Sequence, residues 1–77
     1  MSITVRFFAS LRENLKIEDM QISSSDINTV NDVWNSSTNN RDIPDSVLVA
    51  VNMEYVNFQT QIKDNDEVAF FPPVTGG

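Results

Sequence analysis

The residue pattern predicts an α+β domain, a single sheet with one main helix packed on one of its faces. Three observations carry that expectation. The chain of 77 residues begins and ends its folded part on alternating β-forming segments, residues 3–8 and 67–71. Between them, Val30, Val33 and Trp34 fall at i, i+3 and i+4, a single apolar stripe on a helix. The run Val47-Leu48-Val49-Ala50-Val51 is apolar throughout, as a buried strand requires.

The elements follow in order. Along Ile3-Thr4-Val5-Arg6-Phe7-Phe8, strand alternation puts Ile3, Val5 and Phe7 on one face and Thr4, Arg6 and Phe8 on the other. Ser10-Leu11-Arg12-Glu13 has the form of a capping box and predicts a short helical turn ending near Asn14. Residues 17–22 read as a weaker second strand, with a turn signal in Ser23-Ser24-Ser25-Asp26. Thr29-Val30-Asn31-Asp32 repeats the capping-box form and opens the main helix. That helix ends in Asn35, Ser36, Ser37 and Thr38, all weak helix formers, so packing of Trp34 must hold it. Residues 39–46 are polar, contain Pro44, and read as a loop. After the strand at 47–51, Asn52-Met53-Glu54 turns the chain and Tyr55-Val56 resumes extended structure. Asp64-Asn65-Asp66 is a further turn, in which Asn65 takes the left-handed conformation usually given to glycine. Val68 and Phe70 then face one way, and Ala69 and Phe71 the other. Pro72-Pro73 ends the strand, because neither residue has an N–H to donate.

Two strands, a helix and three further strands fit a β-grasp roll, a mixed sheet with its first and last strands adjacent at the centre. A ferredoxin-like arrangement would need a second full helix, and the sequence offers no candidate. The expected organisation is a β-grasp domain at 1–71 and an extended tail at 72–77.

Composition narrows the chemistry. There is no cysteine and no histidine. That excludes a Cys/His zinc site, a cysteine nucleophile, a Ser-His-Asp triad and a disulfide framework. Eleven acidic residues against five basic ones give a formal charge of −6, unsuited to a nucleic-acid phosphate backbone; on its own the charge reads first as solubility, and it also suits a basic protein surface. No apolar run approaches the length of a membrane span, and the N-terminus lacks the pattern of a signal peptide. A cytoplasmic protein with no membrane partner is expected.

The helix stripe covers one side of the sheet. Phe8, Phe71 and Tyr55 fall on the other, where clustered aromatics mark a partner site. The competing expectation is a local minicore beneath the loops at 10–16 and 57–63. The tail points the same way. Both glycines of the chain are its last two residues, Gly76 and Gly77. Two residues without Cβ thread a channel that no side chain would enter, and they end in a free carboxylate. Pro72 and Pro73 favour an extended path, so residues 72–77 reach at most about 20 Å from the sheet. A bare Gly-Gly end is equally consistent with a frayed terminus.

The neighbouring residues decide between these. Val49-Ala50-Val51-Asn52, the segment 64–71 and above all Phe70-Phe71-Pro72-Pro73-Val74-Thr75-Gly76-Gly77 resemble the small, sulfur-carrier subunits of molybdopterin synthase. The resemblance extends to Phe7-Phe8-Ala9, Leu11-Arg12-Glu13 and the helix start at Thr29. It departs at Asn65, where the family usually has glycine, and in the short Asn- and Ser-rich helix. It implies a ubiquitin-like β-grasp fold. It implies that Gly77 is adenylated by an ATP-dependent partner enzyme, converted to a thiocarboxylate by a sulfur donor system, and used to pass sulfur to cyclic pyranopterin monophosphate, with Gly76 giving clearance. By the same resemblance Phe8, Arg12, Tyr55, Phe71, Pro72, Pro73, Val74 and Thr75 contact partners. The chain itself binds no metal and no cofactor; ATP belongs to the adenylating enzyme. The large synthase subunit completes a heterotetramer. The alternatives are a sulfur carrier for thiamine or tRNA thiolation, a ubiquitin-like modifier of lysines, and an interaction module with an inert tail.

Overall fold

β1 (Ser2–Phe7) and β5 (Glu67–Phe71) lie side by side and parallel at the centre of a five-stranded sheet, in a computed structural model that describes residues 2–17, 19–44 and 46–72. Outside β1 runs β2 (Met20–Ser23), antiparallel to it. On the other side β5 pairs antiparallel with β3 (Leu48–Val51), which pairs in turn with β4 (Glu54–Val56). The order β2-β1-β5-β3-β4 is the predicted mixed sheet with its first and last strands adjacent. The fold is the ubiquitin-like β-grasp.

Register fixes the two faces. Ile3, Val5 and Phe7 of β1, Val68 and Phe70 of β5, and Val49 of β3 are all buried beneath the helix side. The main helix, α2 (Val30–Thr38), lays Val30, Val33 and Trp34 on them, each with no exposed surface. The Trp34 ring meets Phe70 edge-on at 5.0 Å and Phe7 at 6.0 Å, favoured geometries for aromatic pairs. Its indole N–H donates to the Arg41 carbonyl at 2.7 Å, so the one polar atom of the ring is satisfied.

Each end of α2 has a local cause. At its start the expected capping box is present. The Asp32 N–H donates to Thr29 Oγ1 at 3.4 Å, and Asp32 Oδ2 accepts from the N–H groups of Thr29 and Asn28 at 3.0 and 2.9 Å. The loop at 57–63 completes the cap. The Thr60 and Phe58 carbonyls accept from Val30 and Asn31, two of the donors a helix start leaves without a partner. At the other end Ser37 and Thr38 are buried, and their hydroxyls donate back to the Val33 and Trp34 carbonyls at 2.7 Å. Weak helix formers are tolerated there because each hydroxyl is bonded within the helix.

The structure corrects several expectations. The short turn after β1 is a seven-residue helix, α1 (Ala9–Leu15), whose cap is Phe8 and not Ser10. The Phe8 N–H donates to the Phe70 carbonyl at 3.1 Å, extending the strand ladder one residue and leaving Ser10 inside the helix. β2 starts at Met20 rather than 17, because Lys16 ends α1 in a left-handed conformation and Ile17 packs against the core before the strand begins. The loop at 57–63 does not roof a minicore on the open face. Phe58 stacks on Phe70 at 5.9 Å and Ile62 is buried, so the loop belongs to the helix side.

Turns are made without glycine. Nine described residues have positive φ and none is glycine; Asn39, Asn40, Asn52 and the predicted Asn65 are among them. Asn52 also ties two turns together. Its Nδ2 donates to Asp66 Oδ1, and its Oδ1 accepts from the Glu67 N–H, both at 3.0 Å.

Candidate functional site

The face of the sheet turned away from α2 carries Thr4 and Arg6 of β1, Glu67, Ala69 and Phe71 of β5, Leu48 and Ala50 of β3, and Tyr55 of β4. No described helix packs over its centre. Phe8 joins it because the extra ladder bond to Phe70 holds residue 8 in extended conformation beside Phe71. Ala9 then turns left-handed, at φ 50°, and starts α1.

This geometry brings the three predicted aromatics together. Phe8 and Phe71 stack nearly parallel, 8° between planes and 4.8 Å between centroids. Tyr55 leans on the far side of Phe71 at 6.1 Å and is 70% exposed. Leu48, opposite Phe71 across the ladder, adds a fourth large apolar side chain at 37% exposure, close to the 38% of Phe8. Leu48 escaped the sequence reading because an unbroken apolar run gives no sign of which residues face out. Strand alternation counted from buried Val49 supplies that sign. The patch ends at Phe71 and Pro72, so it surrounds the point where the C-terminal tail leaves the domain. Pro72 is half-buried; Pro73, Val74, Thr75, Gly76 and Gly77 lie outside the described residues.

Arg12 is on α1, one helical turn beyond Phe8, where its backbone N–H donates to the Phe8 carbonyl at 3.4 Å. It is exposed and lines a shallow depression with Ala9, Glu13, Lys16 and Ile17, at the rim of the apolar patch. The opposite rim is charged. Arg6 Nε lies 3.2 Å from Glu67 Oε2 and 3.7 Å from Asp19 Oδ2. Asp32, the one acid whose pKa is clearly displaced, sits on α2 away from this face. Backbone N–H groups of Asn28 and then Thr29 hold it below the ordinary carboxylate value.

Among the described residues no group of three or more acidic side chains is placed to hold a metal ion. No described helix is long and apolar enough to cross a membrane.

Comparison with known proteins gives this face a context. The ThiS family pattern matches residues 5–77. The molybdopterin synthase sulfur carrier subunit of Escherichia coli is 38% identical over 81 aligned positions, covering 97% of this chain and 99% of that one. Crystalline SAMP1 from Haloferax volcanii superposes with a TM-score of 0.81 at 24% identity, over the whole of both chains. Subunit 1 in the complex of subunits 1 and 2 of the molybdopterin-converting factor from Helicobacter pylori also matches over the full length of both chains, with a TM-score of 0.68 at 26% identity.

Proposed function

The chain belongs to the ThiS family, and from that premise we propose that it is the sulfur-carrier subunit of a molybdopterin synthase. The observation that carries this reading is the near full-length similarity to a subunit of that name. The apolar face around the root of the tail supports it, because a carrier must be gripped where its tail departs.

The chemistry follows from what the chain lacks. A carboxylate at neutral pH is a poor electrophile, and this chain has no thiol or imidazole to activate its own. An ATP-dependent adenylating enzyme supplies the activation. The Gly77 carboxylate attacks the α-phosphorus of ATP and displaces pyrophosphate, giving an acyl-adenylate. A sulfur donor then delivers sulfide equivalent to the carbonyl, AMP leaves, and the thiocarboxylate remains. The large synthase subunit receives the loaded tail and directs its sulfur to the pterin precursor. Gly76 gives the clearance that tail needs, and residues 72–75 span from the sheet to the partner's pocket. Phe8, Phe71, Tyr55 and Leu48 form the docking patch, with Arg12 at its rim. Two large and two small subunits make the working assembly, in the cytoplasm.

The test is intact mass spectrometry after incubation with ATP, the adenylating enzyme and a sulfur source. The full chain gains the mass of exchanging one oxygen for sulfur, and the Gly77-deleted chain does not. A Gly77-deleted chain that still supports sulfur transfer refutes the assignment. The fold shared with SAMP1 motivates a second reading, conjugation of Gly77 to lysines of other proteins. That reading predicts target peptides bearing a Gly-Gly remnant on lysine in place of the thiocarboxylate.

A further inference from the structure

The outer face is not uniform along its strands. At the tail end stand Phe8, Phe71 and Leu48, with Tyr55 one row in, level with Ala50 and leaning on Phe71. In the middle Ala69 and Ala50 sit directly opposite one another, a low apolar floor between taller neighbours. Beside the floor, on the β1 side, rises a charged wall. Arg6, the ladder partner of Ala69, lies between Glu67 and Asp19, and the three side chains are 45%, 38% and 55% exposed. Two carboxylates face one guanidinium, so among the described residues this wall carries one negative charge in excess. Thr4 and Gln21, opposite each other on the same face, bring hydroxyl and amide groups to it, and among the described residues no second cation is paired with it.

We infer that Asp19 and Glu67 are the electrostatic half of the docking surface, and that it selects a protein partner presenting a cation beside an apolar knob. This rests on the carrier reading, in which the partner is the large synthase subunit. The knob seats over Ala69, the more open of the two alanines, against the aromatic wall. The cation meets Asp19 and Glu67, which Arg6 holds upright but leaves half neutralised. Arg6 acts as a moderator. It keeps two exposed carboxylates from repelling each other in the free chain, and it competes with the partner's cation for them. Complementary charge at the rim of an apolar contact acts chiefly on the rate of encounter, and the net charge of −6 adds a uniform attraction to any basic surface. The local arrangement, not the total charge, sets that rate.

Stopped-flow association with the purified large subunit, across a range of ionic strength, separates the two. The Asp19→Asn/Glu67→Gln chain is expected to associate about tenfold more slowly at low salt, with a flatter salt dependence. Asp26→Asn/Asp42→Asn makes the same change in net charge on exposed residues away from this face, and is expected to stay within about twofold of the parent. Arg6→Gln moves the other way and speeds association, because the partner's cation no longer has a competitor. Equal effects from the two double variants, or none from either, overturn the inference and leave the carrier reading standing. A parent chain that forms no complex at any ionic strength overturns both. Thermal melts accompany each variant; exposed ion pairs contribute about 0–1 kcal/mol, so all three are expected to fold.

Discussion

The hairpin between β3 and β4 offers a direct test of how the body of this protein makes turns without glycine. Val51 pairs with Glu54, so Asn52 and Met53 alone form the loop. Both have positive φ, 51° and 71°, as a two-residue turn that matches strand twist demands. Asparagine is at home in the first position; the second strongly favours glycine. Met53 is 93% exposed, so its side chain has almost no packing to lose. Holding a residue with a Cβ in this region costs about 1–2 kcal/mol. Glycine removes that cost but loses more freedom on folding, about 0.5–1 kcal/mol. Met53→Gly is therefore expected to stabilise the domain by about 0.5–1 kcal/mol, a rise in Tm of roughly 2–8 °C for a domain of this size. Thermal and urea melts followed by circular dichroism measure it. Met53→Ala is the control: it removes the exposed apolar side chain, keeps the Cβ, and leaves Tm nearly unchanged. A Met53→Gly chain no more stable than the parent, or a Met53→Ala chain that matches Met53→Gly, refutes the backbone argument.

Three further outcomes are expected. Asn52→Ala breaks the bonds to Asp66 and Glu67 and puts alanine at positive φ, a loss of about 2–3 kcal/mol by denaturant titration. Phe71→Ala weakens binding to the large subunit by about 2 kcal/mol or more in calorimetry, and the domain's own stability by less, since the ring is only half-buried. Asp32 contributes stability in a defined pH window. Its folded pKa lies below its unfolded value near 3.8, so its contribution is complete above that value and disappears as pH falls through the folded one. Asp32→Asn is expected to lower Tm at neutral pH and to flatten the acid limb of a Tm-against-pH curve; an unchanged acid limb counts against the cap as its source.

The two parallel central strands and α2 were legible because each has a clean period. Ile3, Val5 and Phe7 alternate, Val30, Val33 and Trp34 follow a helix, and all are fully or almost fully buried. The capping box at Thr29 could be read because its two halves are local. The similar box at Ser10 misled because a non-local bond, Phe8 to Phe70, fixes the cap two residues before Ser10 and starts the helix at Ala9. Ile62 as a core member, and Phe58 packed against the core, were missed for a related reason. Their loop has no period, and what holds it is distant in sequence: hydrogen bonds to the first turn of α2 and the stacking of Phe58 on Phe70. On the outer face, Phe8 and Phe71 followed from strand alternation, and Tyr55 was placed with them. Leu48 and the pairing of Ala50 with Ala69 needed the register, which no single strand encodes.

Placing the exit of the tail on a central strand has a mechanical consequence. Tension applied through Pro72 reaches β5 along its own axis, with β1 bonded on one flank and β3 on the other. Withdrawing the strand therefore shears two ladders at once instead of unzipping one bond at a time. An edge strand in the same place would peel. A machine that pulls from this terminus works against the strongest direction of the sheet, and the lifetime of the domain under such load is a matter of its unfolding rate.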